Sequence, residues 1–333
     1  MKTRPLPFLP VLCALAVLPF LAAACSRRVP EPRDIPVLMY HNVLPDAEDL
    51  SVWQVSAEEF ACQMDQLANA GFEPILPDDI ARAAAGRGKL PGKPVVITFD
   101  DGYEGVVRHA EPVLAAHGFK AICYVIAGRL AREGEERETF DSGPLLTAAE
   151  AAAMARRGTI AAGSHSMTHA RNDPARLASE IGPSRKAIRR RLGVATRAYC
   201  YPFGLCGYDA MRDALCENGF TTALACGDGM FRFAPGCDLL AIPRVSVYGG
   251  HHAISLDGVD AARGEVRFAN PGAGIPLKAV VRDPATGRRW ESGVQPVGGR
   301  IRRPVAFAFP PEALEGEREI EAWDKFGLFR YFP

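Results

Sequence analysis

The chain has 333 residues, 48% of them hydrophobic, enough to bury a sizeable core in about two domains. Lys plus Arg and Asp plus Glu each total 39, so the formal net charge is zero and nothing supports a nucleic-acid partner. The one locally basic run, "RKAIRRR" at 185–191, reads as the solvated face of a helix.

In chain order, residues 1–25 read as a targeting segment: a positive "MKTR", then an apolar stretch that ends in small residues before Cys25. Pro10 and Pro19 interrupt that stretch, which is poor for a stable membrane-spanning helix. "LAAACS" resembles the lipobox of bacterial lipoproteins, although Ala22 stands where leucine is usual and Leu21 lies one place further back. That resemblance implies cleavage before Cys25, lipid attachment to it and membrane anchoring. Ser26 then implies outer-membrane sorting, facing the periplasm, in a Gram-negative source. Residues 26–34, with "RRVPEPRD", form a Pro-rich tether.

Export implies an oxidising compartment. Beyond Cys25 remain Cys62, Cys123, Cys200, Cys206, Cys216, Cys226 and Cys237, an odd number, so at least one stays unpaired within the chain. Cys62 and Cys123 sit in apolar patterns that suit buried thiols, and the later five leave room for one or two bridges. No Cys-x-x-Cys pair occurs, against a zinc finger.

From residue 35 to about 250, short apolar runs alternate with helical patterns. The runs are "IPVLMYH" (35–41), "VVITF" (95–99), "AICYVI" (121–126), "TIAAGSH" (159–165), "AYCYPF" (198–203), "TTALACG" (221–227) and "AIPRVSV" (241–247). Being continuous rather than alternating, they predict parallel strands buried on both faces. The helices carry capping boxes, Ser56 with Glu59 and Thr147 with Glu150, and stop at glycines such as Gly71 and Gly158. The expectation is an α/β fold with a parallel sheet, open or closed. Residues 251–333 change texture, with short strands and Gly/Pro turns, "DPATGRR" making a hairpin candidate. They predict a small all-β domain. Phe326, Phe329 and Tyr331 look exposed there, which suggests polymer binding or partner contact, with plain capping of the first domain as the alternative.

"VVITFDDGYEG" (95–105) ends a strand in two adjacent carboxylates, Asp100 and Asp101, and "GSHSMTH" follows another strand with His165 and His169 four apart. On a helical turn that spacing puts both imidazoles on one face. Strand C-termini of a parallel fold share one rim, so the motifs can meet. One carboxylate and two imidazoles leave open positions on a divalent metal, and the second aspartate becomes free to act as a general base.

Taken in order, "TFDDG", "HSMTH" and "YPFG" resemble motifs of the polysaccharide deacetylase family, carbohydrate esterase family 4, over residues 35–250. "PVLMYHNV" and "YPFG" resemble the branch that deacetylates poly-N-acetylglucosamine in biofilms. The resemblance implies a distorted (β/α) barrel that removes N-acetyl groups from an amino-sugar polysaccharide. By position it implies Asp100 as base, Asp101, His165 and His169 as ligands of Zn²⁺ (Co²⁺, Ni²⁺ or Fe²⁺ as alternatives), and Tyr201, Pro202 and Phe203 against substrate. Two departures stand out. Cys200 occupies a position where many members place an arginine that orients the base, and Arg197 falls on the opposite strand face. A late Leu-x-His that donates a proton is missing, and His41 is the leading replacement as general acid, ahead of His251 and His252. His109 and His117 read as ordinary helix residues.

The competing readings are a peptidoglycan deacetylase, a glycan-binding lipoprotein without activity, and a non-haem iron oxygenase. The last suits an all-β jelly roll rather than this α/β texture. No Gly-x-Ser-x-Gly occurs, against a serine esterase.

Overall fold

The computed structural model describes residues 31–45, 51, 53–141, 143–171, 173–206, 208–249, 254–269, 275–297 and 304–332. Cys25 and its leader, and His251 and His252, lie outside the described residues. Seven strands are named here β1 Val37–Tyr40, β2 Pro94–Phe99, β3 Ala121–Val125, β4 Ile160–Ser164, β5 Ala198–Cys200, β6 Thr222–Asp228 and β7 Ile242–Ser246. Each is parallel to the next, and β7 returns to pair with β1, which in turn pairs with β2. The sheet is therefore closed into a barrel.

Helices α1 Ala57–Asn69 and α2 Pro77–Ala84 precede β2. Then α3 Glu111–Ala116, α4 Ala148–Arg157, α5 Leu177–Leu192 and α6 Asp209–Glu217 follow β2 to β5 in turn. Between β6 and β7 a short strand, Phe231–Phe233, pairs antiparallel with Arg33–Ile35 instead of a helix crossing over. Seven strands with one helix missing make a distorted (β/α) barrel. The predicted caps form: Ser56 Oγ accepts from Glu59 N at 3.0 Å, and Thr147 and Glu150 complete their reciprocal box. Of the basic run on α5, Arg191 is not merely solvated. Its guanidinium donates to the carbonyls of Ala127, Gly128 and Leu130.

Both faces of the barrel strands are buried, which is why the sequence shows runs without alternation. Val37, Val96, Ile122, Tyr124, Ala198, Leu224 and Ile242 form one cluster inside the barrel, and Leu38, Val95, Ile97, Phe99 and Val125 pack outward with the helices. Side chains of period two then carry the inward register up each strand to the rim. Two residues above Met39 is His41, above Thr98 is Asp100, above Ala198 is Cys200 and above Ile242 is Arg244.

Beyond residue 254 the described residues form strands and turns, with a 3₁₀ turn at Pro311–Ala313. Strands β8 Ser255–Asp260, β9 Glu265–Ala269 and β13 Val305–Ala308 make one antiparallel sheet. Strand β10 Ile275–Arg282 pairs with β11 Arg289–Glu291, β12 Gln295–Val297 and β14 Glu319–Asp324, and β14 with β15 Arg330–Phe332. The expected hairpin at "DPATGRR" joins β10 to β11. Phe268, Leu277, Val281, Phe307 and Ala322 draw both sheets onto one apolar cluster.

The exposed look of Phe329 is corrected by the structure. It is 1% exposed and belongs to the barrel cluster that holds Phe60, Met64 and Leu67 of α1, with Phe326 and Leu328 packed against that cluster. Asp324 shapes the turn that delivers it, accepting from the backbone N–H groups of Phe326 (2.9 Å), Leu328 (2.6 Å) and Phe329 (2.7 Å). Gln66 of α1 clasps Arg330 through both of its backbone groups. The side chain of Tyr331 lies outside the described residues.

Candidate metal centre and catalytic site

The two aspartates diverge because the chain turns left-handed between them and the next element. Asp101 has φ 68° and Gly102 φ 84°, a pair of positive values that Asp tolerates and Gly adopts freely. A Cβ at Gly102 would also press on Val125, 3.1 Å from its Cγ1. Asp100 keeps the inward direction of β2, and Asp101 swings toward the end of β4.

There the two histidines meet it. Nε2 of His165 lies 3.5 Å and Nε2 of His169 lies 3.4 Å from Oδ1 of Asp101. That Oδ1 is buried and has no hydrogen-bond partner. His165 donates Nδ1–H to the carbonyl of Cys200 at 2.9 Å, which leaves Nε2 as the free lone pair facing Asp101. Three donor atoms of the types that bind a divalent ion thus converge in a buried place, and the orphaned carboxylate oxygen supplies the reason for a cation between them. The residues present fit a metal.

Burial, then the Asp100 charge, pushes the Asp101 carboxyl up to about 8 in the absence of a cation. Burial lowers both imidazoles to about 4, so each is neutral near pH 7, the form in which histidine ligates.

The helical spacing expected for the histidines is not how the structure brings them together. Residues 165–170 form a loop after β4, with positive φ at Ser166 (63°) and His169 (60°). Ser166 Oγ accepts from His169 N at 2.9 Å. Glu180 of α5, 6% exposed, accepts from the N–H groups of Met167 and Thr168 (3.1 and 2.8 Å) and from the Thr168 hydroxyl (2.7 Å). A buried carboxylate from the next helix thereby sets the curve that carries His169.

Asp100 sits against Arg244, a residue sequence reasoning missed. Nη1 and Nη2 of Arg244 donate to Oδ1 and Oδ2 of Asp100, both at 2.7 Å, in the bidentate fork that suits a carboxylate. Arg244 is fully buried, and its Nε donates to the carbonyl of Ala225 at 3.0 Å. Burial alone would raise the Asp100 carboxyl. The Arg244 charge, with His165, the two hydrogen bonds and His41, outweighs it and holds the group well below the usual carboxylate range. Cys200 is the neighbour on the other side, its Sγ donating to both carboxylate oxygens at 3.5 Å. Burial raises that thiol far above its ordinary value, so it stays protonated. Asp100, His165 and Cys200 also lie close enough to share an ion, but Arg244 already occupies both oxygens of Asp100 and the thiol keeps its proton. That leaves the Asp101 set as the candidate seat for a metal.

The missing arginine is thus supplied by β7, from across the barrel seam, while Arg197 sits exposed at the far end of β5. A charged residue in the middle of "AIPRVSV" was the available signal. His41, inward at the end of β1, lies near enough to Asp100, Arg244 and His169 to feel their charges, and its buried Nδ1 has no partner. Burial lowers it to about 4.

Of the residues expected against substrate, Tyr201 is 1% exposed and donates its hydroxyl to the carbonyl of Leu240 at 2.7 Å, and Pro202 is buried. Both pack rather than face the rim. Phe203, 48% exposed, is the one that reaches solvent. His117 is a surface residue whose ring bonds Asp65 and the Val113 carbonyl. All seven cysteines among the described residues are free thiols.

Residues 87–223 match the family model described as polysaccharide deacetylase. That segment is a polysaccharide deacetylase domain. The Bacillus subtilis protein YxkH, named for the same family, is 27% identical over 187 residues, 55% of this chain and 62% of the relative. The poly-β-1,6-N-acetyl-D-glucosamine N-deacetylase of Escherichia coli K12 is 33% identical over 85 residues, which cover 26% of this chain but 13% of that protein. Among solved structures, IcaB from Ammonifex degensii superposes with a TM-score of 0.55 at 29% identity, covering 64% of this chain and 91% of that one. The chain therefore spans less than two thirds of the length of these two curated relatives. The arginine position that Cys200 occupies is answered in space by Arg244.

Proposed function

We propose that the chain hydrolyses N-acetyl groups from a polysaccharide that contains N-acetylglucosamine, releasing acetate, with a divalent metal held by Asp101, His165 and His169. The observation that carries this reading is the orphaned Oδ1 of Asp101, with two imidazole nitrogens 3.4 and 3.5 Å away, beside a second aspartate pinned by arginine. Two imidazoles and one carboxylate favour Zn²⁺, with Co²⁺, Ni²⁺ or Fe²⁺ as alternatives. When bound, the ion supplies Lewis acidity toward the acetyl oxygen and lowers the pKa of a water.

The chain's own residues do the rest. Asp100 is ionised at any working pH, and a carboxylate has about four lone-pair sites, of which Arg244 takes two. The single S–H of Cys200 takes at most one more, and a lone pair left over accepts the proton of the attacking water as its oxygen adds to the acetyl carbon. Arg244 keeps the carboxylate from turning away. His41, whose buried Nδ1 has no partner, passes the proton that Asp100 takes from the water on to the departing amine nitrogen as the C–N bond breaks. A polymer of β-1,6-linked N-acetylglucosamine is the leading substrate, supported by the similarity to the Escherichia coli protein. We also propose that Cys25 carries lipid and anchors the protein to the outer membrane, a reading supported by "LAAACS" alone.

Acetate release from a panel of amino-sugar polymers, including peptidoglycan, with and without chelator, tests the function. Release that chelator abolishes and added metal restores is expected. Binding without release establishes the glycan-binding alternative, and release from peptidoglycan alone redirects the substrate.

A further inference from the structure

Two large exposed rings stand on the barrel rim, and each touches one imidazole of the site. Trp53, 40% exposed, has its ring 4.9 Å from that of His41 and 5.5 Å from that of Tyr248. Its carbonyl accepts from Asn42 N at 3.4 Å, which seats it directly beyond the end of β1. Phe203, 48% exposed, has its ring 4.7 Å from that of His169, and the guanidinium of Arg171 lies 4.9 Å from it. It follows β5. In the closed order of seven strands, β1 and β5 are three steps apart, as far as the ring allows. The two rings therefore stand on opposite sides of the mouth, one beside His41 and the other beside His169 of the Asp101 set.

Neither ring is where simple burial would put it. Most aromatics of the chain are inside, and these two leave much of their surface in water. Phe203 is moreover held at φ 58°, a left-handed conformation that costs a bulky residue about 1–3 kcal/mol and persists only where the surroundings impose it. Gly204 behind it is obligatory for the same bend, since a Cβ there would fall 2.0 Å from the Cβ of Cys226. The bend exposes Phe203 while it buries Pro202.

Resting on the deacetylase reading above, we propose that Trp53 and Phe203 are stacking platforms for the sugar units on either side of the one being deacetylated. The substrate class is then a linear amino-sugar chain of at least three units, entered at an internal residue rather than at an end. A pyranose ring presents an apolar C–H face that an exposed aromatic covers, and polar edges that Arg171 bonds on the Phe203 side. Arg129, 4.7 Å from the Phe140 ring that packs on His169, extends the cationic edge there. The Trp53 side has Tyr248 in the corresponding place.

The test compares the metal-loaded full chain on an N-acetylglucosamine pentamer and on the monosaccharide, with Trp53→Leu, Phe203→Leu and Trp53→Phe. Loss of one stacked face should lower kcat/KM on the pentamer, through KM, about tenfold more than on the monosaccharide. The double leucine variant should lose close to the product of the two effects, since the rings do not touch. Trp53→Phe should recover most of the loss. Equal losses on both substrates, carried by kcat, would mean that the rings only hold the imidazoles and would overturn the proposal, as would an unchanged pentamer KM. If the unmodified chain releases acetate from neither substrate, the deacetylase reading fails by itself. Pentamer binding by calorimetry then decides for the platforms: the leucine variants must weaken it.

Discussion

The barrel mouth and the C-terminal β region bury charged and aromatic groups for opposite ends. At the mouth, Asp100, Asp101, His165 and Arg244 are almost wholly withdrawn from water, and an oxygen of Asp101 is left without a partner. Burial there raises the free energy of the chain and is tolerable because the fold elsewhere is well packed. In the C-terminal region the carboxylate of Asp324 is satisfied by backbone N–H groups of one turn, and what the turn delivers to the barrel is an apolar ring, Phe329. One region stores electrostatic demand that the chain itself leaves unmet. The other removes apolar surface from water and asks for nothing more. The difference locates reactivity and stability in separate places, so substitutions should separate them too.

The largest effect falls on the mouth. Asp100→Asn keeps size but loses basicity, and acetate release should fall by about 10²–10⁴-fold with metal content unchanged. Asp101→Asn should instead lower metal affinity, with activity partly restored by excess ion. Metal analysis beside turnover separates the two, and the reverse pattern would falsify the division of roles between the carboxylates.

On the stability side, Phe329→Ala should cost about 3–5 kcal/mol in denaturant unfolding, because it empties a packed site against the α1 cluster. Turnover per folded molecule should stay near that of the parent. A loss below about 1 kcal/mol, within the range of surface substitutions, would return the C-terminal region to the status of an independent module.

Between the two lies Glu180, which touches no substrate but bends the histidine loop. Glu180→Gln keeps the side chain's shape and one acceptor oxygen, and should weaken metal affinity by roughly 10–100-fold, as outer hydrogen-bond partners of metal ligands do. Competition with a chelator of known affinity reads it. Unaltered affinity would place the loop's curvature in the backbone alone.

The smallest effect concerns acid stability far from the mouth. Hydrogen bonds from Arg137, against some burial, lower Glu150 from 4.5 to about 2, with Thr147 assisting. A carboxyl lowered on folding stabilises above its unfolded value and loses that contribution as pH falls through the folded one. Stability from this pair should therefore be complete above about pH 4.5 and drain away toward pH 2. Arg137→Met should flatten that part of the Tm-against-pH curve, lowering it most above about pH 4.5 and converging with the parent near pH 2.

By itself the sequence determined the parallel strands, their helices and caps, and the two motifs that meet at the rim. These are local matters: an uninterrupted apolar run, a capping box, and an Asp-Asp-Gly that cannot continue a strand. Period-two register then fixes which of Asp100 and Asp101 faces inward. Tertiary structure alone decided the rest. Arg244 is 144 residues from Asp100, and only closure of β7 onto β1 brings it there. His165 and His169 stand four apart as in a helix, yet Glu180 holds them in a loop. Phe329 reads as a surface aromatic until α1 is folded beneath it, and Tyr201 reads as substrate-facing until Leu240 takes its hydroxyl. In each case the deciding partner lies far along the chain, and short-range spacing carries no information about what closure of a barrel sets side by side.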